Sequence, residues 1–465
     1  MNMKFTEIEN CVHARFHEVR PDIEVCFNAL WAEAELPCLE FNSAEYLANW
    51  LELEGFDVER NAGGLPTAFK ASWEHEPGPC VMLLAEYDAL QGPENEATPF
   101  RSRTDKKSGH GCGHNQIGGL TAGAAIAVRR AFEDLKLPGR ITVVGCPAEE
   151  IVWGKIALMK QSVFQDADAL LAAHCDYQNG AINRPCQSVV HGEFVFLGES
   201  GHAGEFEKCS TVEALELFVQ TIMRVRATDF PDTSIRYVIR NGGDMPTVLP
   251  DEVRIWISAR HPDFARARSA YELIEGIADK VTKEFAIAHK HQFISETHGY
   301  LPNDRMAQTI LNNLLKVGSP KWSDDDLNWQ RQLVSACQPS GDFTLDKGID
   351  IYTDGCDSYG QDDGELSWFI PLGRINWAIP EQIPLHHWAC TALSGSPASF
   401  AGPLMASNVL ALTAAELMTD PDIIGDSKAE LAKRTESIDR EPVRLGAINT
   451  LTHSPKTFWD GTWFE

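Results

Sequence analysis

Apolar residues along this 465-residue chain change their spacing in blocks, and each block predicts an element. Residues 43–55, SAEYLANWLELEG, place apolar side chains three and four apart and predict a helix. The run at 80–90, CVMLLAEYDAL, opens with six apolar positions, as expected of a strand covered on both faces. A second helix is predicted over 118–135, GGLTAGAAIAVRRAFEDL, with small residues on its packing side and charges near its end. Two more short apolar runs follow, RITVVGC within 140–150 and ALLAAHC within 168–176. Such strands alternating with helices predict a layered α/β sheet.

From about residue 186 to 300 the rhythm changes. A strand at 188–201, a helix at 211–229, a strand pair at 234–243 and 252–262, a helix at 267–290 and a strand at 291–299 follow one another. That order, β-α-β-β-α-β, is the ferredoxin-like unit, a domain in its own right. The α/β character then returns with GRINWAIP at 373–380 and an apolar helix at 402–419. The expected division is therefore one discontinuous domain, 1–185 with 301–465, and an inserted domain, 186–300. SPKWSDDD at 319–326 fits neither period and is expected to be a surface loop.

Composition narrows the class. Forty basic against sixty-seven acidic residues give a formal net charge of −27, which disfavours nucleic acid and anionic membranes as partners. The first twenty residues carry charges every few positions with no apolar core, so no secretory signal is expected. No uninterrupted apolar stretch reaches membrane-spanning length. The twelve cysteines lack the dense spacing of a disulfide scaffold and are expected to be mostly reduced, in a soluble cytoplasmic protein.

The candidate chemistry lies at the edges of the apolar runs. AEYDAL carries Asp88, GHGCGHN carries Cys112 and His114, CPAEE carries Glu149 and Glu150, and AAHCD carries His174. A fifth segment, IPLHHW, carries His386 and His387. In open α/β sheets ligands gather outside the carboxyl ends of strands, so these distant segments can converge. Thiolate, imidazole and carboxylate together suit zinc or manganese, and two such ions need about five protein ligands. Adjacent glutamates can divide the work, one binding metal while the other moves the proton of a water. Each piece also has an ordinary reading. Cys112 fits a packed or redox thiol, AEE fits a helix start, His174 a buried histidine, Asp88 an N-cap, and the two late histidines the rim of an aromatic cluster.

Seven motifs in one order carry a resemblance: GGLPTAFKASW (63–73), LLAEYDALQG, GHGCGHN, PAEE, SGHAG, DGELSW and PLHHWA. Over roughly residues 10 to 420 the chain resembles the M20 family of metallopeptidases and amidohydrolases. Within it, the chain is similar to the branch of aminobenzoyl-glutamate hydrolase subunits, auxin-conjugate hydrolases and M20 domain-containing dipeptidases. The resemblance implies a zinc-peptidase-like catalytic domain with an inserted ferredoxin-like lid that mediates homodimerisation. It implies two divalent ions, Zn or Mn, on Cys112, His114, Glu150, His174 and His386, the last preferred over His387 because the family's ligand follows a Pro-x pair. Glu149 becomes the general base and acid. His202 becomes the lid histidine that steadies an oxyanion, often at the partner's site. Asp88 and Asp362 are implied to stand behind the metals.

Two departures fall in the lid. Thr247 in MPTVLPD replaces the family's substrate-contacting Asn, and the Pro-Trp pair of many relatives is missing from HAGEFEKCS. Asn115 after His114, instead of Asp, turns the reading away from the auxin-conjugate hydrolases. Arg260 in SARHPD is a candidate for gripping a substrate carboxylate, or an ordinary surface ion pair. The expected activity is hydrolysis of a small-molecule amide: an N-acyl amino acid, an aryl-amide of glutamate or a small dipeptide. Three rival expectations stand beside it. They are the same site run towards amide formation or cyclisation, a metal-binding scaffold without turnover, and a cysteine nucleophile at Cys112.

Overall fold

The central sheet has eight strands, in the order Asp57–Arg60, Phe69–His75, Gly139–Cys146, Cys80–Glu86, Ala169–Asp176, Leu372–Ala378, Asn179–Ile182 and Ile349–Tyr352. The four middle strands run parallel, as their doubly covered apolar runs predict. The computed structural model describes residues 5–204, 210–438, 440, 442–446 and 459.

One face of this sheet is covered by three long helices, Phe5–Glu33, His114–Leu135 and Ala401–Thr419. The small residues of the second helix let the first lie against it. A Cβ on Gly123 would sit 2.3 Å from the Ile23 side chain, and one on Gly119 would sit 2.7 Å from Phe27. The Ala401–Thr419 helix is the one described helix long and apolar enough to cross a membrane, and 89% of its apolar window is buried inside the protein. It is a core helix. On the other face lies a second apolar layer, containing Trp153 and Leu158 from the short helix Gly154–Lys160 and its approach, while Ile156 of the same helix packs with Phe264 and Val443.

A separate antiparallel sheet is built from Ser188–Leu197, Ser234–Asn241, Glu252–His261 and Ala288–Thr297. Helices Thr211–Thr228 and Phe264–Phe285 pack on it around Phe194, Phe196, Phe218 and Tyr271. Chain order is β-α-β-β-α-β. The Ser188–Leu197 strand lies between the last and third strands of the unit, and Ser234–Asn241 lies at an edge, which is the ferredoxin-like arrangement. The edge strand exposes Tyr237, Val238 and Ile239.

Several elements differ from expectation. The second helix of the ferredoxin-like unit stops at Phe285, because Ala286 turns left-handed (φ 53°), so the AHK of the predicted helix opens the last strand instead. Residues 319–326 are not wholly loop. Ser323 caps a helix, Asp324–Cys337, and the Asp326 carboxylate returns the bond to the Ser323 backbone, a reciprocal capping box. The charged N-terminal stretch forms the 29-residue helix Phe5–Glu33, despite Pro21 within it. Residues 205–209, which follow the expected lid histidine and include part of HAGEFEKCS, lie outside the described residues.

Candidate metal centre

Three adjacent parallel strands aim their carboxyl ends at one place. Cys80–Glu86 ends in Glu86 and leads to Asp88, Gly139–Cys146 leads to Glu149 and Glu150, and Ala169–Asp176 carries His174 near its end. The GHGCGHN loop crosses beside them. Gly113 adopts φ 78° and starts the His114–Leu135 helix, and a Cβ there would come within 3.2 Å of the Cys175 sulfur. That turn puts Cys112 and His114 on the same side.

Two triads of donor atoms result, each mutually within 4.8 Å. Cys112, His114 and His174 form one; Cys112, Glu150 and His386 form the other. Cys112 belongs to both. A third group, Glu86, His114 and Glu149, overlaps the first. Cys112 Sγ stands 3.4 Å from His174 Nε2, His386 Nε2 is 3.5 Å from Glu150 Oε2, and His114 Nε2 is 3.9 Å from Glu150 Oε1.

Secondary contacts fix which ring nitrogen faces inward. His114 Nδ1–H donates to Asp88 Oδ1 (2.8 Å), and His174 Nδ1–H donates to the Cys175 carbonyl (2.7 Å), so both rings present Nε2 to the cluster. Asp88 Oδ2 accepts from the Glu150 backbone N–H (2.9 Å), tying the two strand ends together. His386 and His387 part company at the backbone. His386 has φ 59°, its N–H bonds to Gly111 O (2.8 Å), and its half-exposed ring joins the donors. The His387 ring instead caps the Trp388–Ser394 helix, accepting from the Ala389 N–H (3.3 Å). His110 is also structural: buried, with Nε2–H donating to Leu30 O (3.0 Å).

The residues fit divalent metal. His114 Nε2, Glu150 Oε1 and Glu86 Oε2 are buried, without hydrogen-bond partners among the described residues, and all belong to the donor groups. Three unsatisfied buried atoms converging at one point are costly unless a cation satisfies them. As protein groups alone, their ionisation is distorted in the corresponding sense. Burial pushes the Cys112 thiol well above its ordinary value, with Glu150 adding to it. Burial also raises Glu149, followed by the charges of Glu86 and Asp362. Burial would lower His114, but Asp88 and Glu86 outweigh it and hold the ring well above its ordinary value.

Lys155 lies outside every motif of the sequence, and Glu86, within LLAEYDALQG, is not among the expected site residues. Lys155 is wholly buried, with Nζ 2.6 Å from Glu86 Oε1 and 2.6 Å from Asp362 Oδ1. Its backbone N–H donates to the other Asp362 oxygen (2.7 Å). Burial and then Lys155 govern Glu86, and the lysine's charge prevails, holding that carboxyl at about 2. The signal available in the sequence is a single lysine within the apolar run IVWGKIALM.

The remaining expected residues sit elsewhere. His202 lies on a two-residue strand, paired with Val248, and is exposed; its nearest bond is from the Gly204 N–H to Nδ1 (3.0 Å). Thr247 is beside it, its carbonyl accepting from the Ala203 N–H (3.2 Å), and it too is exposed. Neither joins a donor group among the described residues. Arg260 makes no ion pair among the described residues. Its Nε–H reaches Ser258 Oγ at 3.4 Å, burial draws its guanidinium down, and Glu149 and Glu150 are the leading opposing charges.

A parallel-sheet crevice holding paired acidic, imidazole and thiol donors defines the chain as a hydrolase of the metallopeptidase class. The chain belongs to peptidase family M20/M25/M40, which it matches over residues 82–366. It is 27% identical over 459 residues to one of the p-aminobenzoyl-glutamate hydrolase subunits of Escherichia coli K12, covering 92% of this chain and 94% of that one. Identity to the Xaa-Arg dipeptidase of Mus musculus is 26% over 435 residues, covering 90% of each. The fold is shared with an aminobenzoyl-glutamate utilization protein from Klebsiella pneumoniae (TM-score 0.60, 12% identity, 88% of this chain and 98% of that one). It is shared as well with a dinuclear metal-binding M20 peptidase from Bacillus subtilis (TM-score 0.55, 15% identity, 87% and 99%).

Proposed function

We propose that this enzyme is a metal-dependent amidohydrolase of the cytoplasm that cleaves an N-acyl amino acid, an aryl-amide of glutamate or a small dipeptide. The observation that carries the reading is the pair of donor triads meeting at Cys112, with the Glu149 carboxylate beside them. Cys112, His114, Glu150, His174 and His386 would hold two divalent ions, zinc or manganese. Such a pair, when bound, supplies the Lewis acidity that acidifies water and polarises a carbonyl. Relatives named for aminobenzoyl-glutamate and for Xaa-Arg dipeptides support the substrate range.

The protein's own groups divide the remaining work. Glu149 Oε2 lies 3.8 Å from His114 Nε2, on the rim of the donor cluster. It takes one proton from the attacking water as the new C–O bond forms, then delivers it to the amide nitrogen as the C–N bond breaks. Asp88 keeps His114 and the Glu150 backbone in register, and Lys155 keeps Glu86 and Asp362 paired. Arg260, without an ion-pair partner among the described residues, serves the substrate's carboxylate. Residues 186–300 form the lid. Its exposed edge strand, with Tyr237, Val238 and Ile239, supports pairing with a second copy of the chain. The exposure of His202 and Thr247 supports their serving the site from across such a dimer.

The test is elemental analysis of the purified protein beside Cys112→Ala, with N-acyl amino acids and dipeptides assayed on the same preparations. About two ions per chain in the wild type, lost together with hydrolysis in the variant, is the expected result. Metal retained with no hydrolysis would favour a scaffold or a synthetic role. No metal after supplying zinc or manganese would overturn the reading.

A further inference from the structure

The cleft between the two sheets holds a cavity of about 430 Å³ that opens beside Glu150. Ala89, Leu90, Glu150 and Ile151 line it from the catalytic side; Val238, Arg240 and Trp256 line it from the lid strands. Pro37, Gln91 and a residue far along the chain, Trp459, complete its wall. Trp459 is anchored through ring and backbone. Its indole Nε1–H donates to Pro37 O (2.8 Å), and its backbone carbonyl accepts from Arg240 Nη2 (2.9 Å).

The three planar groups of this wall are arranged around one another. The Trp256 and Trp459 ring centroids are 6.4 Å apart and inclined by 52°, and the Arg240 guanidinium lies 5.8 Å from one and 6.0 Å from the other. Arg240 is further held by Glu193 Oε1 at 3.4 Å, a carboxylate buried in the lid sheet. Its charge is therefore already engaged by two indoles, a carboxylate and a carbonyl. A second cation brought into the cavity would meet that charge, whereas an uncharged ring meets indole faces, Val238, Leu90 and Ile151. The volume lies in the range of small-molecule sites, and it remains open with Trp459 in place, so the indole is a wall of the cavity and not its occupant.

We infer that Trp459, with Trp256 and Arg240, forms a specificity pocket for an uncharged planar aromatic group carried next to the scissile amide. The inference rests on the amidohydrolase reading above for the position of that amide. It makes a segment beyond the matched family region, residues 82–366, part of the substrate site.

The experiment compares N-benzoyl and N-acetyl forms of one amino acid on the full-length, metal-loaded protein, in the wild type, Trp459→Ala and Trp459→Phe. The wild type is expected to prefer the benzoyl substrate. The benzoyl-to-acetyl ratio of kcat/KM should fall roughly tenfold in Trp459→Ala, the scale of one aromatic contact, and be largely recovered in Trp459→Phe. An unchanged ratio with both rates reduced would reveal a strap joining the two sheets, and a rise in both rates would reveal a plug; either overturns the pocket. If the wild type hydrolyses neither compound, the amidohydrolase reading has failed, and calorimetric binding decides the pocket by itself. Benzoyl binding tighter than acetyl binding and weakened in Trp459→Ala then upholds it, and no difference between wild type and variant overturns it.

Discussion

GHGCGHN and SGHAG both set histidine among glycines, yet the structure gives them opposite surroundings. The first lies where three long parallel strands end. Cys112 and His114 are buried there, and the imidazoles of His114 and His174 are each oriented by a second group. The second lies on a strand of two residues at the surface, with His202 exposed and bonded to its own turn. Burial makes donor atoms of the first motif hold their positions without a ligand, at the cost of unsatisfied atoms. The second motif has no such constraint among the described residues. A buried site therefore declares its geometry within one chain, and an exposed one does not.

That contrast predicts different responses to mutation. Glu149→Gln removes the proposed proton carrier from the buried site and should lower kcat on the order of 10²–10⁴-fold, with metal content kept, read by steady-state kinetics and elemental analysis. Lys155→Met leaves Glu86 and Asp362 buried without their shared cation. A loss of roughly 3–5 kcal/mol in unfolding free energy is expected, measured by denaturant titration. His202→Ala should behave in the opposite way. Stability should stay within about 0.5 kcal/mol of wild type because the side chain is exposed. Turnover should still fall roughly 10²–10³-fold if the ring stabilises an oxyanion. If two copies share their sites as proposed, mixing that variant with Glu149→Gln should restore hydrolysis, since a mixed dimer would regain one complete site. Equal loss of stability in both regions would erase the contrast. The smallest effect belongs to Asp88→Asn, where the His114 ring loses a charged acceptor and metal affinity should weaken by about 10–100-fold in a competition titration with a chelator.

Much of this was legible along the chain. Continuous apolar runs marked the parallel strands, and the β-α-β-β-α-β block marked the second sheet, because burial on both faces and on one face leave different periods. Other features were hidden for physical reasons. The Phe5–Glu33 helix carries enough charge on its outer face, and Pro21 within it, to mask its apolar stripe. Asp324, Asp325 and Asp326 read as loop because three aspartates disfavour a helix interior, yet they occupy its first turn, where the dipole and the capping box welcome them. The pairing of Lys155 with Glu86 escapes a reading by motif because it spans sixty-nine positions of sequence, although Glu86 itself lies within LLAEYDALQG.

The order of strands, helices and polar motifs, and with it the donor types of a two-metal site, follows from the sequence by itself, since periodicity and residue chemistry are local properties. Tertiary structure decided which of two neighbours turns inward. His386 joins Glu150 and His387 caps a helix because one residue adopts a left-handed backbone held by Gly111. It also decided that Trp459 meets Trp256 across the cleft. Adjacent side chains point where φ and ψ send them, and those angles are set by packing against segments hundreds of residues away.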